Sequence, residues 1–245
     1  YKVIDRSDFS SEEISFSNVW GVADEDLLFK GLVELDKNYQ SGKPFFSLIM
    51  TTSNHRPYTF PDGRIDLPSG GGRNAAVKYT DYAIGKFFEE ARKKEWFKDT
   101  IFVITADHCA ASAGKVNLPV AQYHIPLMIY NPYILKPKQV NNLASQIDII
   151  PTILGILNLP HTTKLWGSDI LNFPANRAFI STYQLLGYIK DEYLIILAPN
   201  SKAKAYQVSG TKQHEIDDAK DLTQEAISFF QTASNFYESG ELVEK

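Results

Sequence analysis

The 245-residue chain has one cysteine, Cys109, so no disulfide can form within it and the redox compartment stays open. It has no apolar run near the roughly 18 residues that cross a bilayer, and no signal-peptide pattern follows Tyr1. The net charge of −4 is spread without a basic stripe, which leaves nucleic-acid binding without support. The glycine run Gly70–Gly72 lacks both a preceding strand and the GxxxxGK[ST] pattern, which excludes a P-loop. Internal repeats and low-complexity linkers are absent. An initiator Met is absent too, so the chain reads as an excised soluble portion of something longer. What is there is the composition of a folded globular chain, 44% hydrophobic and 22% charged, long enough for one sizeable core.

Apolar spacing divides the chain. "NVWGVADEDLLFKGLVELDKNYQSGKP" reads as a loop and then a helix with Leu27, Leu28, Gly31, Leu32 and Leu35 on one face, stopped near Gly42 and Pro44. Phe45 to Met50 is a continuous apolar run of strand length, expected to be buried on both faces. The clearest helix carries Ala76, Tyr79, Ala83, Ile84, Phe87 and Ala91 at helical spacing. Ile101–Ala106 is a second buried strand and "HIPLMIYNP" a third. "ASQIDIIPTILGILNLP" is a short helix with Ile147, Ile150, Ile153, Leu154 and Leu157 inward. "AFISTY" and "YLIILA" are further strands, the second able to open a hairpin, and a terminal amphipathic helix follows, capped by Asp221. Strands alternating with helices point to an α/β fold: a largely parallel central sheet with helices on both faces, residues 1–245 forming one domain or part of one.

Two of these strands end in polar residues. "FSLIM" delivers "TTSNH" and "IFVIT" delivers "ADH". In open α/β sheets ligands sit beyond the carboxyl ends of strands, where loops converge on a rigid wall. An acid and an imidazole on adjacent residues can reach one divalent cation, and oxygen with imidazole nitrogen suits zinc or manganese better than calcium. The plain alternatives stay open: Asp107-His108 as a helix N-cap with a surface histidine, and His55 as a brace for its loop. Pattern alone carries the site to a metal or phosphate centre and no further.

The blocks "TTSNHRPYTFP", "KYTDYAIGKFFEEARKKEWFKDTIFVITADHC" and "YHIPLMIYNP" with "SQIDIIPTILGIL" resemble, in order, the sulfatase-like branch of the alkaline phosphatase superfamily. Within it they resemble the lipoteichoic acid synthase and phosphoglycerol transferase group, and "WGVADEDLLFKGL" resembles the block that precedes them there. The resemblance covers roughly residues 15–185. It implies an alkaline-phosphatase/sulfatase-like fold and a metal-dependent phosphoryl-group transferase of the bacterial envelope, of phosphoglycerol or phosphoethanolamine type. In that family a metal-bound threonine attacks a phosphoester, and an alcohol or water resolves the phospho-enzyme.

The resemblance puts the metal-ligand pair on Asp107 and His108, with one divalent ion (Mn, Zn or Mg), and the substrate-binding histidine on His55. The H-x-P of the phosphoethanolamine transferases falls on His124, a candidate phosphate contact or general acid that can also simply cap its strand. The family's nucleophile and its remaining acidic metal ligand lie upstream of "WGVADED", and Thr51, Thr52 and Ser53 do not occupy the nucleophile's place. The chain is therefore expected to be the C-terminal portion of a sulfatase-like domain, incomplete at its N-terminus and unable to turn over alone. A fragment of that kind should expose an apolar face or an unpaired edge. The implied partners are a phospholipid head group and a glycan or lipid acceptor. The implied parent is anchored by N-terminal membrane helices and works on the extracytoplasmic face of a bacterial membrane.

Two other readings compete. One is a sulfatase or phosphodiesterase of the same superfamily, and the other is a non-catalytic domain that keeps the fold to bind glycan or protein. Cys109 reads as a small packed side chain, because the C-x-P-S-R of type I sulfatases is absent. Trp20 can line an entrance for a head group or anchor its loop in the core, and the second weighs slightly more. His161 and His214 read as surface residues and Glu89–Glu95 as a solvated helix face. The last sixty or so residues lie outside the resemblance, with packing over the sheet as the default for the terminal helix.

Overall fold

The computed structural model describes residues 2–110, 118–160, 164, 166–200, 202–217 and 219–242. They form two compact units, residues 1–101 with 131–134, and residues 102–130 with 135–245.

The first unit is built on two helices, α1 (Asp24–Gln40) and α2 (Arg73–Ala91). Helical spacing buries Leu28, Leu32 and Leu35 of α1. It likewise buries Ala75, Ala76, Tyr79, Ala83, Phe87 and Ala91 of α2, where alanines let the helices approach closely. Each buried leucine contributes about 1.5–3 kcal/mol of transfer free energy. The Tyr79 ring stacks on Phe60 with centroids 4.7 Å apart, and burial pushes its phenol pKa up. Trp96, in the 3-10 turn Glu95–Asp99, is buried with its Nε1–H donating to Asp36 Oδ1 at 2.7 Å.

Both helices agree with the spacing argument, whereas Phe45–Met50 departs from it. The run forms no strand, and Phe46, Leu48 and Met50 are 81, 74 and 66% exposed. Only its other face is seated: a Cβ on Gly31 of α1 would come within 2.6 Å of Ile49 Cδ1. Here is strand composition without a ladder partner among the described residues.

The second unit holds two sheets. β1 (Phe102–Thr105) pairs antiparallel with β2 (Leu127–Tyr130), Thr105 opposite Leu127. β3 (Arg177–Thr182), β4 (Leu185–Lys190), β5 (Tyr193–Ala198), β6 (Lys202–Ser209) and β7 (Lys212–Ile216) form an antiparallel meander in chain order. Every ladder among the described residues is antiparallel. The meander's connections are short turns, and a parallel crossover needs a dozen or more residues. β1 is also not buried on both faces, since Val103 is 37% exposed.

Helix α3 (Ile149–Ile156) buries Pro151 and Thr152 and leaves Ile147, Ile150 and Leu157 largely exposed, against the inward face assigned to them. Helix α4 (Lys220–Glu238) packs on β4 and β5, the role expected by default. Phe229 and Phe230 lie against Phe179, and Phe229 also against Tyr188. Glu225 accepts from the Tyr188 hydroxyl at 2.8 Å and from Lys190 at 2.8 and 2.9 Å. The helix's N-cap position is Ala219, and Asp221 sits in the first turn instead of capping it. His214 lies exposed on β7 as expected, while His161 falls outside the described residues.

Candidate functional site

In the second unit the site is organised by the end of β1. Asp107 and His108 follow that strand, and His124 precedes β2. Because Thr105 pairs with Leu127, all three leave the ladder at the same end. The Asp107 and His108 side chains are about two-thirds exposed, with Oδ2 and Nε2 3.4 Å apart. His108 Nδ1 lies 2.9 Å from the Cys109 carbonyl oxygen. A carbonyl only accepts, so Nδ1 donates to it and Nε2 is the nitrogen that faces the carboxylate. A backbone carbonyl on the far nitrogen is also the usual partner of a metal-ligating histidine. Two donors 3.4 Å apart, each about 2.1 Å from one cation, subtend about 110° at it, a tetrahedral angle. The pair therefore fits a shared divalent cation. Among the described residues no group of three or more ligating side chains assembles.

Two features that sequence reasoning overlooked hold the pair in place. Gln146 donates from Nε2 to the carbonyls of Ala106 at 3.0 Å and Asp107 at 2.8 Å, clamping the backbone that aims the carboxylate. Gln146 is in turn set by Asp148, two residues on. The Asp148 carboxylate meets Arg177 in a buried two-pronged pair, with Nη1–Oδ2 at 2.8 Å and Nη2–Oδ1 at 2.9 Å. It also accepts from the Ser145 and Ser168 backbone N–H groups at 2.8 Å each. Burial alone would raise the Asp148 pKa, yet the guanidinium and the two N–H donors outweigh it and hold the pKa below its ordinary value. The only sequence signal was the "SQID" within a block already noted for its resemblance. His124 is exposed, and Cys109 is half-buried, in keeping with a packed side chain.

His55 belongs to the first unit, on the loop after the exposed apolar run. Asp24, the first residue of α1, is fully buried and fixes that loop. Its Oδ1 accepts from the backbone N–H groups of Thr52 at 3.0 Å and Ser53 at 2.9 Å. Its Oδ2 accepts from the Thr80 hydroxyl at 2.7 Å. Its own N–H donates to Ser53 Oγ at 3.2 Å, so helix and loop bond reciprocally. His55 N–H then closes a turn on the Thr52 carbonyl at 3.0 Å. The imidazole lies under the Trp20 indole, ring centroids 4.0 Å apart and planes 24° apart. Trp20 is half exposed, which sets aside the core-anchor reading favoured for it and places it over the histidine. Arg73 Nη2 lies 3.4 Å from the Tyr58 hydroxyl, and the Arg56 and Arg73 guanidiniums draw its pKa below the ordinary phenol value.

The sulfatase family model matches residues 2–159 of this chain. Lipoteichoic acid synthase 2 of Bacillus subtilis is 26% identical over 194 residues, which is 70% of this chain and 29% of that protein. Phosphoglycerol transferase I of Xanthomonas campestris is 27% identical over 161 residues, 63% of this chain and 23% of that protein. A solved protein of the alkaline phosphatase superfamily from Vibrio parahaemolyticus superposes with a TM-score of 0.90 at 32% identity, covering 98% of this chain and 60% of that one. The chain thus spans under a third of these two curated relatives and about three-fifths of the solved structure.

Proposed function

The chain belongs to the sulfatase family, and from that premise we propose that it is the C-terminal portion of a single sulfatase-like catalytic domain, in a metal-dependent phosphoryl-group transferase of a bacterial envelope. The head group transferred is of phosphoglycerol or phosphoethanolamine type. One observation carries the reading: β1 ends in a carboxylate and an imidazole 3.4 Å apart, the imidazole's other nitrogen being held by a backbone carbonyl. The similarity to a lipoteichoic acid synthase and a phosphoglycerol transferase favours transfer over hydrolysis.

In this reading Asp107 and His108 hold one divalent cation, manganese, zinc or magnesium, together with ligands from the rest of the parent. Such a cation neutralises charge on a phosphoryl group and lowers the pKa of a bound nucleophile. Asp107 brings the negative charge that attracts it. His108 would offer its Nε2, the Nδ1 edge being held by the Cys109 carbonyl. Gln146 prevents the Asp107 backbone from rotating away. His55, held by the Asp24 network, donates to a phosphate oxygen or a glycerol hydroxyl, and His124 delivers a proton to the departing alkoxide oxygen. The nucleophile is a threonine outside these residues. The donor is a phospholipid head group and the acceptor a glycan or lipid, at the extracytoplasmic face of a membrane to which the parent is anchored. Among the described residues no helix is long and apolar enough to cross a membrane.

The test incubates the full-length protein with phosphatidylglycerol and manganese, with and without a glycan acceptor. Acceptor-dependent release of diacylglycerol, lost in Asp107→Ala, supports the assignment. Free glycerol phosphate as sole product would make the protein a hydrolase. Absence of any product in the wild type would leave a binding domain.

A further inference from the structure

The backbone of His55 is tied on both sides, whereas its ring has a single restraint. Its N–H donates to the Thr52 carbonyl at 3.0 Å, and its carbonyl accepts from Tyr58 N–H at 2.7 Å. Among the described residues neither imidazole nitrogen has a hydrogen-bond partner. The stack on Trp20, centroids 4.0 Å and planes 24° apart, is the directional contact that sets how the imidazole lies.

Trp20 is itself built into place. It sits in a turn closed by Asn18 N–H donating to the Gly21 carbonyl at 3.0 Å, beside a bridge between Ser17 and Val22. Its backbone N–H donates to Asn18 Oδ1 at 2.8 Å, and Asn18 Nδ2 crosses to Thr59 Oγ1 at 3.1 Å. The indole Nε1–H donates to the Arg56 carbonyl at 2.5 Å, one residue beyond the histidine that the ring covers. Val19, next to it, is 89% exposed, so the tip of the turn stands in water while the indole folds back over the histidine loop.

Ordering two side chains costs rotamer entropy. Rings stacked and bolted to one loop meet that cost during folding, so a ligand arriving at the imidazole does not meet it again. The stack covers a face of the imidazole and leaves its nitrogen edge, the part that can donate to an oxygen.

We propose that Trp20 is the positioning residue of His55, holding the imidazole with its nitrogen edge toward the phosphate or hydroxyl oxygen that His55 contacts. The inference rests on the reading of His55 given above.

The test is a double-variant cycle. Full-length protein with manganese is titrated calorimetrically with glycerol phosphate, as wild type, Trp20→Ala, His55→Ala and the double variant. Trp20→Ala is expected to weaken binding about three- to tenfold, the range for one aromatic pair or one side chain ordered in advance. In the His55→Ala background the same change should have no further effect, because partners in contact are not additive. Trp20→Phe, which keeps a ring over the imidazole, should recover most of the loss. Without any ligand, the imidazole C–H resonances of His55, assigned by their absence in His55→Ala, should lie upfield of the ordinary histidine range under the indole ring current. They should return to that range in Trp20→Ala. An undiminished Trp20→Ala effect in the His55→Ala background would overturn the proposal, since the indole would then touch the ligand itself. Trp20→Phe binding as weakly as Trp20→Ala would overturn it as well. Full affinity in Trp20→Ala beside weakened binding in His55→Ala would overturn it and leave the His55 reading intact. Equal binding by His55→Ala and wild type, or none by either, would strike that reading and the proposal with it.

Discussion

Asp148→Asn is the sharpest perturbation of the framework behind the candidate metal pair. The carboxylate accepts two guanidinium hydrogen bonds at 2.8 and 2.9 Å and two backbone N–H bonds at 2.8 Å. An amide in the same place turns one accepting oxygen into a donor that faces Arg177 Nη1 or the Ser145 N–H, and it removes the charge that the buried guanidinium needs. Breaking one partner of a buried ion pair costs about 3–5 kcal/mol. With an m-value of about 2–3 kcal/mol per molar urea, the midpoint should fall by about 1–2 M at pH 7. The pH dependence has a definite sign. The folded-state pKa of Asp148 is lowered, so its contribution is complete above the unfolded value near 3.8 and is lost as pH falls through the folded value. The gap between wild type and variant should therefore close on acidification below about pH 4. A midpoint shift under about 0.3 M urea at pH 7, or a gap that widens in acid, would refute the reasoning.

Two further outcomes follow from the same geometry. Gln146→Ala should leave the urea midpoint nearly unchanged, yet weaken manganese binding about 10- to 100-fold, the range for lost second-layer support of a metal ligand; unchanged affinity in a calorimetric titration would deny the clamp its role. Asp24→Asn should cost about 1–3 kcal/mol, because one donor among Thr52 N–H, Ser53 N–H and Thr80 hydroxyl loses its acceptor. It should also loosen the Trp20–His55 stack, read as a change in tryptophan emission that is absent when the same substitution is made in a Trp20→Phe background; a variant keeping both stability and the wild-type emission would separate Asp24 from the His55 loop.

Elements whose signal is local were legible in the sequence. Helices α1 and α2 follow from apolar residues at helical spacing, and Asp107-His108 stands out because β1 ends in polar residues without a turn signal. Strand β4 escaped notice because Gly187 interrupts it, and only the approach of Ile180 shows why: a Cβ there would come within 2.6 Å of Cγ1. Strand β7, "KQHEI", is a polar strand at the end of the meander with no apolar alternation to read. Strand direction is not encoded in an apolar run, so the antiparallel ladders could not be read from Ile101–Ala106 or "HIPLMIYNP". The supports of the site are long-range. Asp148 meets Arg177 across 29 positions, and Asp24 meets Thr80 across 56. Neither spacing carries a periodicity. The exposure of Trp20 likewise depends on loops that converge only after folding.

The central claim, that Asp107 and His108 share one divalent cation, is tested most directly by calorimetric titration of the full-length protein with manganese and with zinc. One tightly bound cation is predicted, with affinity falling at least about tenfold in both Asp107→Ala and His108→Ala. No uptake by the wild type, or equal uptake by Asp107→Ala, would contradict it.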